Sequence, residues 1–469
     1  MSFVFYDTET TGTNTAFDQI IQFGAVRTDH DLNELDRFEI RCRLLPDVVP
    51  SPGAVRVTGV GIERLTDPAL PSHYQMVRAI RTKMLEWSPA IFIGHNSIGF
   101  DEHLLRQALY KTLHAPYLTN TNGNCRTDSL RMIQAVARFA PNALTIPLND
   151  RGKPDFKLDR LAPANGFDHS AAHDAMGDVE ATIHMCRMIA QRVPGYWSNF
   201  VRFAQKAAVT DFVLEEDVFV LTDFFYGNGY SWLVTGIGVN PDNGSEILVF
   251  DLSQDPDGFD GLSDDELAAR LREKPKPVRG MRANAGPIVL PYDDAPAGLL
   301  HRAPGHNELR RRASRIKNDS DLATRLISAF TQTRERTESS PHVEEQIYDG
   351  FTRKEDQALL DRFHGLQWQH RLPIIDKLGD GRLRELGQRL VFVEAPHLMS
   401  EAVRREYEIA CARRMMGADG TVPWLTFPRA IEEADDLIAA GANGAERALL
   451  AELRHYLTER AEAAALLIA

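Results

Sequence analysis

The stretch FVFYDTETTG, residues 3–12, limits the folds open to this chain more than any other. Phe3, Val4, Phe5 and Tyr6 have the composition of a strand inside a protein. They run straight into Asp7 and Glu9. Side chains two apart on a strand point to the same side, so both carboxylates face one space at the end of a buried strand. Anions held together where water is scarce repel, and one takes up a proton unless a cation lies between them. A divalent cation with oxygen ligands meets that need. The fold must bury this first strand and open a charged site at its end.

Two further stretches place acids at comparable positions. In IGHNSIGFDEHLL a strand ends at His95-Asn96, a glycine-bearing turn follows, and Asp101 opens a helix, where capping the helix is the alternative role. In HSAAHDAMGDVEAT, His173 lies just ahead of a helix, Asp174 is its N-cap, and Asp178 falls in its first turn. There Asp178 can simply complement the helix dipole, and His173 can be an ordinary surface histidine. Together, four carboxylates and one histidine are the inventory of a two-metal phosphodiester hydrolase. Two divalent ions about 4 Å apart clamp the attacking and leaving oxygens. A histidine titrating near neutrality takes the proton of the attacking water.

The chain has 469 residues, too many for one compact core, so several domains are expected. Residues 1–193 read as mixed α/β. FVFYD, QIIQFGAVRT and RFEIRCRLL look like consecutive strands, and AIFIGHN like a short buried one. HYQMVRAIRTKMLEW, FDEHLLRQALYKTL and HDAMGDVEATIHMCRMIAQR carry apolar residues at helical spacing. Residues 194–335 are β-rich, with Gly-Asn-Gly and Asp-Asn-Gly turns and then a basic helical stretch; a small barrel or open sheet is expected. The polar run TQTRERTESSP reads as a linker. Residues 336–469 read as helical, with DQALLDRFHGL, AVRREYEIACARRMM and ERALLAELRHYLTERAEAAALL the clearest segments.

Composition excludes several classes. No apolar run approaches the ~18 residues of a membrane span, and the N-terminal residues do not read as a signal peptide. Cys42, Cys125, Cys186 and Cys411 are far apart, which argues against zinc or a disulfide framework and for a reducing cytoplasm. The net charge of −13 is unlike that of a nucleic-acid binder. The stretch from Arg270 to Lys317 is nevertheless rich in arginine and lysine, and is either a phosphate-attracting surface or a solvated helix face.

FYDTETTG, GHNSIGFD and HDAMGDVEAT resemble, in order and separation, the motifs of the DEDD exonucleases, in the branch whose last motif carries histidine. SPGAVRVTGV, PDFKLDRLAPANGFDHSAAHDAMGDVEATI and QIYDGF resemble, more narrowly, the bacterial exodeoxyribonuclease I family. The resemblance implies an RNase H-like fold, a mixed five-stranded sheet flanked by helices, followed by an SH3-like barrel and an all-α C-terminal domain. It implies Asp7, Glu9, Asp101 and Asp178 as metal ligands and His173 as general base. It implies two Mg²⁺ per site, with Mn²⁺ able to substitute. The implied activity is 3′→5′ hydrolysis of single-stranded DNA to 5′-mononucleotides, in repair and recombination.

A strand is held by cations along its backbone and aromatic faces under its bases. Lys157 matches a basic position that meets substrate in that family. Arg106, a little over one turn beyond Asp101, is expected to reach a phosphate. Tyr117 either stacks on a base or is a half-buried core tyrosine. Thr8 is expected to meet the terminal nucleotide, and Arg279, Arg282 and Tyr348 the trailing strand. Thr121 and Gln134 depart from the tryptophan and arginine expected there. The resemblance also implies a partner, the acidic Phe-terminated tail of single-stranded DNA-binding protein, received by Arg315 and Lys317. A monomer is the simplest expectation. Two other readings stay open: an exoribonuclease or proofreading exonuclease of the same superfamily, and an inactive protein that only occupies strand ends.

Overall fold

The computed structural model describes residues 1–168, 173–225, 227–333 and 338–469. Residues 169–172 of the HSAAHDAMGDVEAT stretch and 334–337 of the expected linker lie outside the described residues. The N-terminal sheet has the order β3-β2-β1-β4-β5. Its strands are β1 (Ser2–Thr10), β2 (Ile20–Thr28), β3 (Glu34–Arg41), β4 (Ala90–Gly94) and β5 (Cys125–Asp128). β1, β2 and β3 pair antiparallel, and β4 and β5 run parallel to β1. The sheet is therefore mixed, as the family resemblance implies.

Both faces of β1 are buried, which is why it reads as a continuous apolar run. Phe3 and Phe5 pack with Ile133, Val136, Val179 and Ile183 of the helices Ser129–Phe139 and Ala175–Arg192. Val4 and Tyr6 pack with Val77, Ile80, Leu104 and Leu105 of the helices His73–Glu86 and Asp101–Lys111. Asp7 and Glu9 continue the Phe3–Phe5 side by strand parity. The β1–β2 register slips between Glu9 and Thr10, so the ladder is irregular where the carboxylates stand. Gly24, opposite Asp7, lets the start of the Ala175–Arg192 helix come close. A Cβ there would lie 2.9 Å from the Ala175 carbonyl carbon.

A second sheet, order β10-β6-β7-β8-β9, is antiparallel throughout. It comprises β6 (Phe219–Phe225), β7 (Asn228–Val239), β8 (Glu246–Asp251), β9 (Val278–Arg282) and β10 (Ile288–Pro291). Leu309, Ile316 and Leu326 cover one face, and Val209, Phe212 and Val213 the other. The three helices read from the C-terminal sequence are present, joined by Gly381–Glu394 and Phe427–Ala439. None of the helices is long and apolar enough to cross a membrane, among the described residues.

The C-terminal helices dock on the first sheet's helices and loops through two apolar clusters. One joins Tyr74, Tyr110 and Leu113 to Ile347, Phe363, Ile375 and Leu386. The other joins Ile21, Val55 and Leu65 to Met415, Phe427, Leu453 and Leu457. At the first, His114 and His364 stack with ring centroids 3.7 Å apart. Burial, with Arg371, Arg78 and Arg81 nearby, depresses both imidazoles, His114 to about 2 and His364 to about 4. In the unfolded chain they titrate near the ordinary value of 6.5. The unfolded state therefore binds more protons below that value. Their contribution is complete above about pH 6.5 and is lost as pH falls toward 4. In thermal melts across this window, His114→Phe is expected to lose less stability on acidification than wild type. Equal losses would remove this histidine from the acid response.

Candidate active site

Asp7, Glu9 and Asp178 converge. Each offers a carboxylate oxygen, and the three oxygens lie within 4.8 Å of one another. Asp7 and Glu9 come from β1 and Asp178 from the first turn of the Ala175–Arg192 helix. That first turn is fixed by Asp174, whose Oδ1 accepts from Met176 N at 3.2 Å as the N-cap. The other Asp174 oxygen accepts from Arg41 at 2.5 Å and from Gln22 at 2.9 Å. Arg41 and Gln22 thereby tie the helix start to β2 and β3.

Asp101 enters by a different route. It opens the Asp101–Lys111 helix, is 4 % exposed, and its Oδ1 accepts from the Thr8 hydroxyl at 2.6 Å and the Thr8 N–H at 3.1 Å. Thr8 sits between the two β1 carboxylates, so these bonds fix Asp101 against them. Both Thr8 donors are directed at Asp101 in this structure. The turn before Asp101 is shaped by Asp128, which accepts from the N–H groups of Asn96 and Ile98 at 2.9 and 3.0 Å.

The electrostatics match the opening argument. Without a cation, burial pushes Glu9 up to about 8, and Asp178 and Asp101 add to the rise. Burial likewise raises Asp7 well above the carboxylate range, with Asp101, Asp178 and Glu9 contributing. Asp101 rises to about 7 through burial, restrained by the Thr8 hydrogen bonds. The cluster stores repulsion that a divalent cation relieves, and an all-oxygen donor set fits Mg²⁺ or Mn²⁺. His173 is exposed, immediately before the Asp174 cap, with φ 64°. Left-handed backbone at a non-glycine residue carries a strain that clusters at functional sites.

The other expected residues divide into two groups. Arg106, Tyr117, Arg282 and Tyr348 come together although they belong to separate parts of the chain. The Arg106 guanidinium lies 5.1 Å from the Tyr117 ring centroid. The Tyr348 hydroxyl is 3.3 Å from His103 Nδ1, and the charge of Arg282 acts on His103. Arg106 is buried and spends its Nε on Glu102 at 2.8 Å. Tyr117 is half-buried, 5.9 Å from the Phe351 ring. Lys157 is exposed just before the short helix Leu158–Ala164. Its segment is tied by the Phe156 carbonyl to half-buried His95, 2.9 Å away.

Arg279 stacks 3.9 Å from the Trp232 centroid and pairs with Asp251 at 3.3 Å. The basic run ending at Lys317 does form a helix, His306–Asn318, but it is not an open basic face. Arg311 pairs with Asp255 and Asp257, Arg315 with Asp260 and Asp319, and Lys317 with Asp217. Counting cations along the chain missed the acids that the fold brings opposite them. Sequence reasoning also passed over Glu102, Arg126 and Asp128, whose roles appear only in contacts. Phe351, 83 % exposed, carried a usable signal as a large aromatic in a polar segment.

The Exonuclease family matches residues 4–186, and the Exonuclease I C-terminal domain family matches residues 341–460. Exodeoxyribonuclease I of Escherichia coli K12 is 28% identical over 380 residues, covering 76% of this chain and 78% of that protein. The solved exonuclease I of Methylocaldum szegediense superposes with a TM-score of 0.82 at 25% identity, over 98% of this chain and 99% of that one. E. coli exonuclease I in complex with a dA16 oligonucleotide gives 0.81 at 23%, over the same shares. The E. coli protein has also been solved with a zinc ion and single-stranded DNA, and an SSB/Exonuclease I structure has been solved in complex with the inhibitor CFAM. With both family matches in this order, and relatives aligned over three quarters of its length, the chain carries an exonuclease domain and an exonuclease I C-terminal domain and is a homologue of exodeoxyribonuclease I.

Proposed function

We propose that the protein is a Mg²⁺-dependent 3′→5′ exonuclease that degrades single-stranded DNA to 5′-mononucleotides, in DNA repair and recombination. The carrying observation is the convergence of Asp7, Glu9 and Asp178 within 4.8 Å on the exonuclease scaffold of this family. Asp7, Glu9, Asp178 and Asp101 would hold a pair of divalent ions, which when bound polarise the scissile phosphate and its attacking water. Thr8 holds Asp101 in register with the β1 carboxylates. His173, exposed at the rim, takes the proton of the attacking water on an imidazole nitrogen.

The strand would lie across Lys157, Arg106, Tyr117, Arg282 and Tyr348, with Arg279 and its Trp232 neighbour farther along. In this reading the units 1–193, 194–335 and 336–469 enclose the strand, so that it is retained between successive cleavages. The oligonucleotide complex of the E. coli relative supports DNA as substrate, and the SSB/Exonuclease I structure supports an SSB partner. At Arg315 and Lys317 a partner's acidic tail would have to displace the resident carboxylates. A monomer in the cytoplasm completes the proposal.

Digestion of DNA oligomers labelled at either end, single- and double-stranded, with Mg²⁺ or chelator, tests it. Loss of single strands from the 3′ end, only with metal, is expected. Intact single-stranded DNA in Mg²⁺ would overturn the enzyme reading, and equal loss of an RNA counterpart would favour the exoribonuclease alternative. Asp178→Asn should lower cleavage by ~10³-fold or more, the scale of losing one member of a catalytic constellation, while sparing strand binding in chelator. The carboxylate repulsion makes a separate prediction. Asp7→Asn should raise the melting temperature of the metal-free protein at pH 8, because one of the clustered charges is gone. It should also abolish the rise that Mg²⁺ gives wild type. A metal-free variant no more stable than wild type would show that the acids do not strain the fold.

A further inference from the structure

Glu102 follows Asp101 directly and has a different set of partners. Its side chain is 2 % exposed and accepts from the Tyr6 hydroxyl at 3.3 Å, the Thr119 hydroxyl at 2.7 Å, Arg106 Nε at 2.8 Å and Arg126 Nη1. Each arginine then reaches a different part of the molecule. Arg126, on β5, donates its Nε to the Asn284 carbonyl, between β9 and β10 of the second sheet, at 3.1 Å. Arg106 lies 5.1 Å from the ring centroid of Tyr117, whose ring stands 5.9 Å from that of Phe351, in the segment that leads into the C-terminal helices. One buried carboxylate on the helix that carries Asp101 thus fastens both later units to the first.

We infer that Glu102, Arg106 and Arg126 form a clasp that keeps the enclosure shut, and so set how many nucleotides are removed in one encounter with a strand. The inference rests on the strand-enclosing reading above. Charge-assisted hydrogen bonds in a dry place are short, strong and directional, so a joint built from them outlasts single steps of the strand. Glu102 acts through the arginines and is a positioning residue.

Arg126→Met tests the clasp with the least damage, because Glu102 remains balanced one-to-one by Arg106. A 5′-labelled single strand is bound first. Mg²⁺ is then added with excess unlabelled strand, and the nucleotides removed before release are counted. Single-turnover kinetics give the rate of the first cleavage. Loss of one hydrogen bond to a charged group is expected to shorten the run ~10-fold, with first cleavage near the wild-type rate. Arg126→Lys should restore most of the run length. Thr119→Val, which removes a buried hydroxyl that donates to Glu102, should also shorten it, and adding Arg126→Met should then do less than the two effects combined.

Runs of wild-type length in both variants would overturn the clasp. So would run length and first cleavage falling by one factor, the mark of a damaged active site. Should Arg126→Met not fold, Thr119→Val decides alone. A wild type that releases DNA after each nucleotide would overturn the enclosure and the clasp with it. Long wild-type runs matched by both variants would overturn the clasp alone.

Discussion

Carboxylates that repel one another in a buried place are the constraint on which this structure turns. Asp7, Glu9 and Asp178 share a space with oxygens less than 5 Å apart, and burial holds Glu9 and Asp7 far above their ordinary titration range. Such a cluster survives only on rigid surroundings. β1 supplies them by being buried on both faces, and the Ala175–Arg192 helix by its Asp174 cap and the close approach across Gly24. The repulsion is tolerated because folding energy comes from elsewhere, chiefly from the apolar layers on either side of the sheet.

Asp101 and Glu102 show how neighbouring residues of one charge are put to different uses. Both belong to the first turn of one helix and both are buried. Asp101 accepts from the hydroxyl and amide of Thr8 and keeps a raised titration point near 7. Glu102 meets two guanidiniums and is internally compensated. A carboxylate next to arginine has no need of a metal, whereas one among other carboxylates does. The partner, not the residue type, decides which acid belongs to chemistry and which to architecture.

That distinction marks what the sequence can show. β1 to β4 and the Asp101 and Ala175 helices were readable because period and caps are local. The DxE stretch was readable as two carboxylates sharing one space because strand parity puts both acids on one side. β5 was passed over. CRTD is short and polar, and its strand character comes from pairing with β4, a long-range contact. Glu102 and Asp128 were unreadable as supports for the same reason: their partners are scattered from Tyr6 to Arg126 and from Asn96 to Leu130.

The helix His306–Asn318 extends the point to charge. Read along the chain, its arginines suggested a surface for phosphate or an acidic tail. In three dimensions Asp255, Asp257 and Asp260, from a turn some fifty residues earlier, lie against it. The acids neutralise the run and anchor the helix over the second sheet, where Leu309, Ala313 and Ile316 are buried. Exposed ion pairs of this kind contribute little stability each, so their effect here is on the field. An anionic strand approaching this helix meets paired charge. Near Arg106, by contrast, two guanidiniums share the one carboxylate of Glu102.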